Sequence, residues 1–240
     1  MESIASGRSA DVFDLGGGRV LRRYRDERTS HDEARLMVHL HTLGYPVPLV
    51  HESSGRDLVM EHIAGPTLFE ELLHEPGQVE RYGRLLGELH DRLHRIPAPE
   101  WLIERESTET PPAGARIPEE RHPVVVHRDL HPLNVILSER GPVVIDWEGA
   151  GAGSASFDVA LTVVVTMGSD LEPFAGGADV RRLDASRGLF VEAFLRSCRA
   201  DPAPGLAAAL RYRATHAALS ESEQHWLADH GPSCLDRFRF

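Results

Sequence analysis

Three side chains between residues 129 and 146 have the types and the spacing to manage a phosphoryl group: Asp129, Asn134 and Asp146. Asp129 follows a β-branched run, Val124 to Val126, in the order His127-Arg128-Asp129. A carboxylate held at the end of a strand can take the proton of an attacking hydroxyl. Asn134 and Asp146 offer amide and carboxylate oxygens, the ligands that Mg²⁺ accepts while it bridges phosphate oxygens. Two short apolar runs, Val135 to Leu137 and Val143 to Ile145, are joined by Ser-Glu-Arg-Gly-Pro and predict a hairpin that brings Asn134 and Asp146 together. A lone aspartate after a strand is more often a turn residue or a cap. Here His, Asp, Asn and a second Asp arrive in order beside strands, and that context favours chemistry. His127 and His131 stand four residues apart, but the valine run and Pro132 predict no helix to align them as metal ligands.

From His127 to Asn134 the spacing reads H-R-D-L-x-x-x-N, the pattern of a kinase catalytic loop. The segment resembles the aminoglycoside phosphotransferase family, which is similar to choline kinases and more distantly to protein kinases. The family's H-G-D-L-H-P-G-N stands here as His127-Arg128-Asp129-Leu130-His131-Pro132-Leu133-Asn134, and its I-D-W as Ile145-Asp146-Trp147. Arg128 and Leu133 replace the usual glycines. The resemblance implies an α+β, protein-kinase-like two-lobe fold: a small, mostly antiparallel β lobe over 1–63 and a larger, mainly helical lobe over 64–240. It implies transfer of the γ-phosphoryl group of ATP, or of GTP, to a hydroxyl of a small molecule such as an aminoglycoside-like antibiotic or an amino alcohol. Asp129 would be the catalytic base, and Asn134 and Asp146 the Mg²⁺ ligands. A similar Asp-Leu-Ala in the family implies that Asp158, in Phe157-Asp158-Val159-Ala160, supports the catalytic loop.

The remaining phosphate-binding parts must come from the N-terminal strands. Ile4 to Tyr24 predicts three short strands, with Gly16-Gly17-Gly18 as a hairpin turn. The stretch Ala5 to Val12 lies where a kinase carries its glycine-rich loop; only Gly7 of those glycines is present, and Ser9 follows it. Alternation on the strand Val20 to Tyr24 puts Arg22 in the slot of the family's phosphate-binding lysine, although a solvated strand residue is the plainer alternative. All 26 basic residues are arginine, so a cation at this position has to be one. Arginine can grip phosphate with two parallel bonds but is longer and planar. Ser30 to Leu43 predicts a helix, in which Glu33 either closes a capping box with Ser30 or pairs with Arg22 as the resemblance implies. The resemblance alone implies that the backbone of Glu61 and Ile63, at the end of the predicted strand Leu58 to Ile63, would hold the purine. These departures keep a second reading open, a nucleotide-binding pseudokinase with a regulatory role.

A clear amphipathic helix is predicted over Val79 to His94, with His90 and His94 at its polar edge. Pro97 to Pro123 reads as irregular, with acidic residues Glu104, Glu106 and Glu109, either a solvated linker or a lid. Four more helices are predicted, near 156–167, 180–198, 205–216 and 220–229. The interval from Asp146 to Asp158 holds only eleven residues and no A-P-E motif, which argues against a protein kinase.

The bulk properties fit this picture. With 240 residues the chain can bury a substantial core. Its formal net charge of −11 disfavours nucleic acid or an anionic membrane as partner and suits a cationic small molecule, although it also simply keeps a protein soluble. Two cysteines form no disulfide framework, Met1 to Asp14 does not read as a signal peptide, and Val159 to Met167 is too short to span a bilayer. The cytoplasm is the expected location.

Overall fold

The computed structural model describes residues 2–6, 9–108, 120–216 and 219–238. The first half of the chain runs β1 (Glu2–Ser6), β2 (Ala10–Gly16), β3 (Arg19–Tyr24), α1 (His31–Thr42), β4 (Val50–Ser54), β5 (Asp57–Glu61), α2 (Leu68–His74), α3 (Val79–Leu93) and α4 (Glu100–Thr108). The second runs β6 (Val124–Val126), β7 (Val135–Ser138), β8 (Gly141–Val144), β9 (Gly151–Gly153), α5 (Ala155–Gly168), α6 (Arg181–Ser197), α7 (Leu206–Ala214) and α8 (Glu221–Asp229). These elements form two compact units, residues 1–67 with 134–148, and residues 68–133 with 149–240.

The first unit is an antiparallel sheet in the order β1-β2-β3-β5-β4, with α1 and the hairpin β7–β8. Register sets Val12 opposite Arg22 and Arg22 opposite Leu58, so Arg22 lies on a central strand. Val20, Leu21 and Leu58 join Ala34, Leu36, Met37 and Leu40 of α1 in the core. Of the two roles open to Glu33, the capping box with Ser30 does not form. The Ser30 hydroxyl donates to the carbonyl of Asp57 at 2.7 Å, and its amide donates to that of Gly55. That ties the start of α1 to the β4–β5 turn and leaves Glu33 available for another partner. The hairpin is docked by Leu137 N–H on the carbonyl of Pro66 and Val144 N–H on that of Pro46, both at 2.8 Å. Gly65, at φ 139°, lets this happen: a Cβ there would sit 2.3 Å from the carbonyl oxygen of Leu137.

The second unit is mainly helical. Its α3 carries Val79, Tyr82, Leu86, Leu89 and Leu93 on the buried face, as the periodicity predicts. Gly83 and Gly87 on the same helix face α6, where a Cβ at Gly87 would come within 2.4 Å of the Phe194 carbonyl oxygen. The glycines therefore set the close approach of α3 and α6. Helix α5 is buried from Phe157 to Val165. Two features depart from expectation. The stretch after Pro97 holds a helix, α4, preceded by Pro97 and Pro99, while 109–119 lie outside the described residues. The strand β9, in a Gly-Ala-Gly run with no β-forming side chains, exists because β6 pairs with it, Val125 opposite Ala152. Among the described residues, no helix is long and apolar enough to cross a membrane.

Candidate active site

In the first unit, the alternation of β3 puts Arg22 and Tyr24 on one buried face. Arg22 is only 7% exposed, which excludes the solvated alternative. One terminal nitrogen of its guanidinium donates to Glu33 Oε1 at 2.7 Å. The other donates to Asp146 Oδ1 at 2.7 Å and to Glu148 Oε2 at 2.9 Å. Tyr24 donates its hydroxyl to the second oxygen of Glu33, and its ring packs against the Arg22 guanidinium, 5.2 Å from the ring centre. Arg28 flanks the same ring at 5.4 Å and pairs with Glu148, which also accepts from the Ser9 hydroxyl. Burial works against the charge on Arg22, but Glu33 and then Asp146 outweigh it and hold the guanidinium well above its ordinary pKa. A fixed cation thus sits among three carboxylates.

The hairpin β7–β8 positions Asn134 and Asp146, the two residues expected to bind Mg²⁺. Ile145 N–H donates to the Asn134 carbonyl at 3.0 Å, which closes the base of the hairpin and brings the two ends together. Asp146 follows with φ 66°, a left-handed conformation that costs an L-residue about 1–2 kcal/mol. Trp147 anchors it, buried, with its indole N–H on the Val144 carbonyl at 3.0 Å and its ring edge against Tyr45. The Asp146 side chain remains 42% exposed. The amide of Asn134 and the carboxylate of Asp146 are donor types that suit a hard cation such as Mg²⁺ rather than a soft one. Glu61 ends β5, with its N–H on the Leu49 carbonyl at 2.8 Å and its carboxylate paired with Arg140; Ile63 lies two residues on and is buried. Gly7 lies outside the described residues.

In the second unit, β6 delivers the loop that carries Asp129. The residue before it, Arg128, has φ 67°. Arg128 and Asp146 are the only non-glycine residues with positive φ among those described. That conformation accounts for the glycine of the family's hallmark. Arginine tolerates it here because its side chain is tied down, to Glu106 on α4 at 2.8 Å and to the Ala152 carbonyl of β9 at 3.0 Å. Asp158, at the start of α5, accepts the Arg128 N–H on Oδ1 at 2.7 Å and the His127 N–H on Oδ2 at 3.1 Å. Asp129 itself is 38% exposed at its side chain, with His131 Nε2 at 3.4 Å from Oδ1. Partial burial would push its carboxyl up, but the neighbouring His131 outweighs this and holds it below the ordinary carboxylate value. Asp129 is therefore ionised and able to accept a proton.

His90 and His94 are not at a polar edge. His90 is fully buried, and His94 Nε2 donates to Asp158 Oδ2 at 2.9 Å. Sequence reasoning also missed Glu148, Tyr24 and Arg28. The only available signals were the two-residue spacings Tyr24 from Arg22 and Glu148 from Asp146.

A family profile described as the phosphotransferase enzyme family matches residues 1–117 and 100–198. Among solved structures, a choline kinase from Cryptosporidium parvum is 13% identical with a TM-score of 0.57, covering 98% of this chain and 88% of its own. An ADP-bound aminoglycoside phosphotransferase is 14% identical with a TM-score of 0.56, covering 99% and 94%. Amicoumacin kinase, in complex with AMP-PNP, Ca²⁺ and amicoumacin, is 15% identical with a TM-score of 0.54, covering 98% and 88%. These likenesses show a kinase-like α+β fold. No curated protein matches the sequence significantly.

Proposed function

The chain belongs to the phosphotransferase enzyme family, and we propose that it moves the γ-phosphoryl group of ATP to a hydroxyl of a small molecule. The observation that carries this reading is the Arg22 guanidinium, buried, held by Glu33 and reaching Asp146 and Glu148. It supplies the cation that the missing lysine would otherwise provide. The alternative, a nucleotide-binding pseudokinase, draws on that missing lysine and on the depleted glycine loop; the buried, charge-paired Arg22 supports the enzyme reading on the first of these points.

In this reading Arg22 grips the phosphates, Glu33 orients Arg22, and the backbone around Gly7, Ser9, Glu61 and Ile63 holds the nucleotide. Asn134 and Asp146 hold Mg²⁺, with Glu148 beside them. The metal supplies neutralisation of charge on the β- and γ-phosphates. Asp129 orients the acceptor hydroxyl and takes its proton as the oxygen bonds to the γ-phosphorus. The bond from that phosphorus to the β–γ bridging oxygen breaks, and ADP leaves with the electron pair. No covalent enzyme intermediate is needed, so rate comes from positioning and charge neutralisation.

The acceptor class we propose is a cationic amino alcohol or aminoglycoside-like compound. A net charge of −11 favours such a ligand electrostatically, and choline kinase and aminoglycoside phosphotransferase stand among the structural neighbours. Two cysteines that form no disulfide support a cytoplasmic setting. The test is a panel of hydroxylated amines and aminoglycosides assayed for ADP release with Mg²⁺. Acceptor-dependent ADP release supports the reading; tight Mg-ATP binding with no acceptor-dependent turnover across the panel supports the pseudokinase instead.

A further inference from the structure

Helix α3 carries His90 on its buried face and is followed at its C-terminal cap by His94, four residues on, and neither histidine belongs to the phosphate-binding set. Their partners lie on both sides of Asp129. On the N-terminal side, the amides of His127 and Arg128 end on the Asp158 carboxylate, which also accepts His94 Nε2 at 2.9 Å. On the C-terminal side, the Leu130 carbonyl accepts the Thr162 hydroxyl at 2.9 Å and faces His90 Nε2 at 3.4 Å. His90 Nε2 lies 3.1 Å from the Thr162 oxygen.

We infer that His90 and His94 are positioning residues, which fix the main chain before and after Asp129 and so set the direction of its carboxylate. This rests on the proposed phosphoryl transfer for its catalytic consequence, though not for its geometry.

The proton positions follow from the partners. A carboxylate only accepts, so His94 Nε2 carries hydrogen. Thr162 spends its proton on the Leu130 carbonyl, so both oxygens near His90 Nε2 are acceptors and that nitrogen carries hydrogen too. His90 Nδ1 is then bare, and it has no hydrogen-bond partner among the described residues while facing Asp158 Oδ2 at 3.8 Å. The rings of His90 and His94 meet edge-on at 5.3 Å, which fixes both. The three ligand-type atoms of His90, His94 and Asp158 lie within 4.8 Å of one another, close enough to hold a cation. Against that use, the Asp158 carboxylate already accepts three N–H donors, from His94, His127 and Arg128. The cluster is a clamp made of hydrogen bonds.

The test pairs amide hydrogen exchange with kinetics on His94→Leu and His94→Gln. Glutamine keeps a donor nitrogen at the place of Nε2. In His94→Leu the amides of His127 and Arg128 should exchange at least about tenfold faster while those of α3 stay protected. Its kcat should fall at least about tenfold with KM for ATP nearly unchanged. His94→Gln should restore both, and should do so even if the leucine variant fails to fold. Asp129→Asn should lose activity with exchange unchanged, so the exchange arm judges the clamp whether or not transfer is observed. Wild-type exchange in His94→Leu, a folded His94→Gln with amides as loose as a leucine variant, or stoichiometric zinc in the purified protein would each overturn the inference.

Discussion

One nitrogen of Arg22 donates to Asp146 at 2.7 Å and, with its other hydrogen, to Glu148 at 2.9 Å. Both hydrogens of that nitrogen are therefore committed to carboxylates, one of which is the proposed Mg²⁺ ligand. In the proposed function Arg22 would have to exchange partners: Asp146 would leave the guanidinium to hold Mg²⁺, and the guanidinium would be freed to grip phosphate. Arg22→Gln should bind Mg²⁺ more tightly than wild type without nucleotide, by on the order of 1 kcal/mol, the scale of a charge-assisted bond lost from a competitor. The same variant should lose about 2 kcal/mol or more in kcat/KM. Arg22→Lys should also lose activity, because Glu33, Tyr24 and the two acidic residues are spaced for the longer, planar group. Calorimetry with Mg²⁺ alone and steady-state kinetics check the three statements.

Removing the exposed carboxylate isolates the metal. Asp146→Ala should weaken Mg-ATP binding while nucleotide without metal binds much as in wild type. Equal Mg-ATP affinity in both proteins would take the metal away from Asp146.

A pH dependence follows from His90. Burial pushes its pKa from the ordinary 6.5 down to about 3. The folded protein keeps this ring neutral where the unfolded chain protonates it. The depressed folded value means the contribution is whole above pH 6.5 and is lost progressively as pH falls toward 3. The slope should be up to about 1.4 kcal/mol per pH unit in that window. Urea unfolding of His90→Gln between pH 7 and 4 should show a flatter curve than wild type by roughly this amount. Parallel curves would mean that the ring titrates alike in both states.

The α3–α6 packing gives a test of the scaffold. Gly87→Ala places a Cβ 2.4 Å from the Phe194 carbonyl oxygen and 2.7 Å from the Ser197 Cβ. Two helices must separate to accept it, and the variant should lose about 2 kcal/mol of stability in a denaturant titration. A variant as stable as wild type would show that α6 yields freely.

Much of this was legible because local spacing carried it. The catalytic loop and the hairpin after it are contiguous, and their polar residues follow apolar runs whose period is two. Helix α3 declared itself by an apolar stripe of period near four. What stayed hidden depends on partners distant in sequence. Ser30 has the form of a cap, but the turn at Gly55 and the carbonyl of Asp57 claim it. The Gly-Ala-Gly of β9 becomes a strand only against β6. His90 and His94 look like the wet side of an amphipathic helix until Asp158 and Thr162 of α5 close over them. Glu148 is an ordinary acidic residue until Arg22, Arg28 and Ser9 converge on it. Arg128 was visible as a departure, and the positive φ that makes the family prefer glycine there was not.

The central claim is that an ionised Asp129 takes the acceptor proton during phosphoryl transfer. Phosphorus NMR of Mg-ATP with an acceptor that supports turnover, in wild type and in Asp129→Asn, tests it most directly. Wild type should convert the γ-phosphate signal into a phosphomonoester. The variant should bind Mg-ATP with wild-type affinity yet form that product at least about 10²-fold more slowly, the scale of a lost general base. A variant that forms the same monoester at a tenth of the wild-type rate or faster would contradict the account.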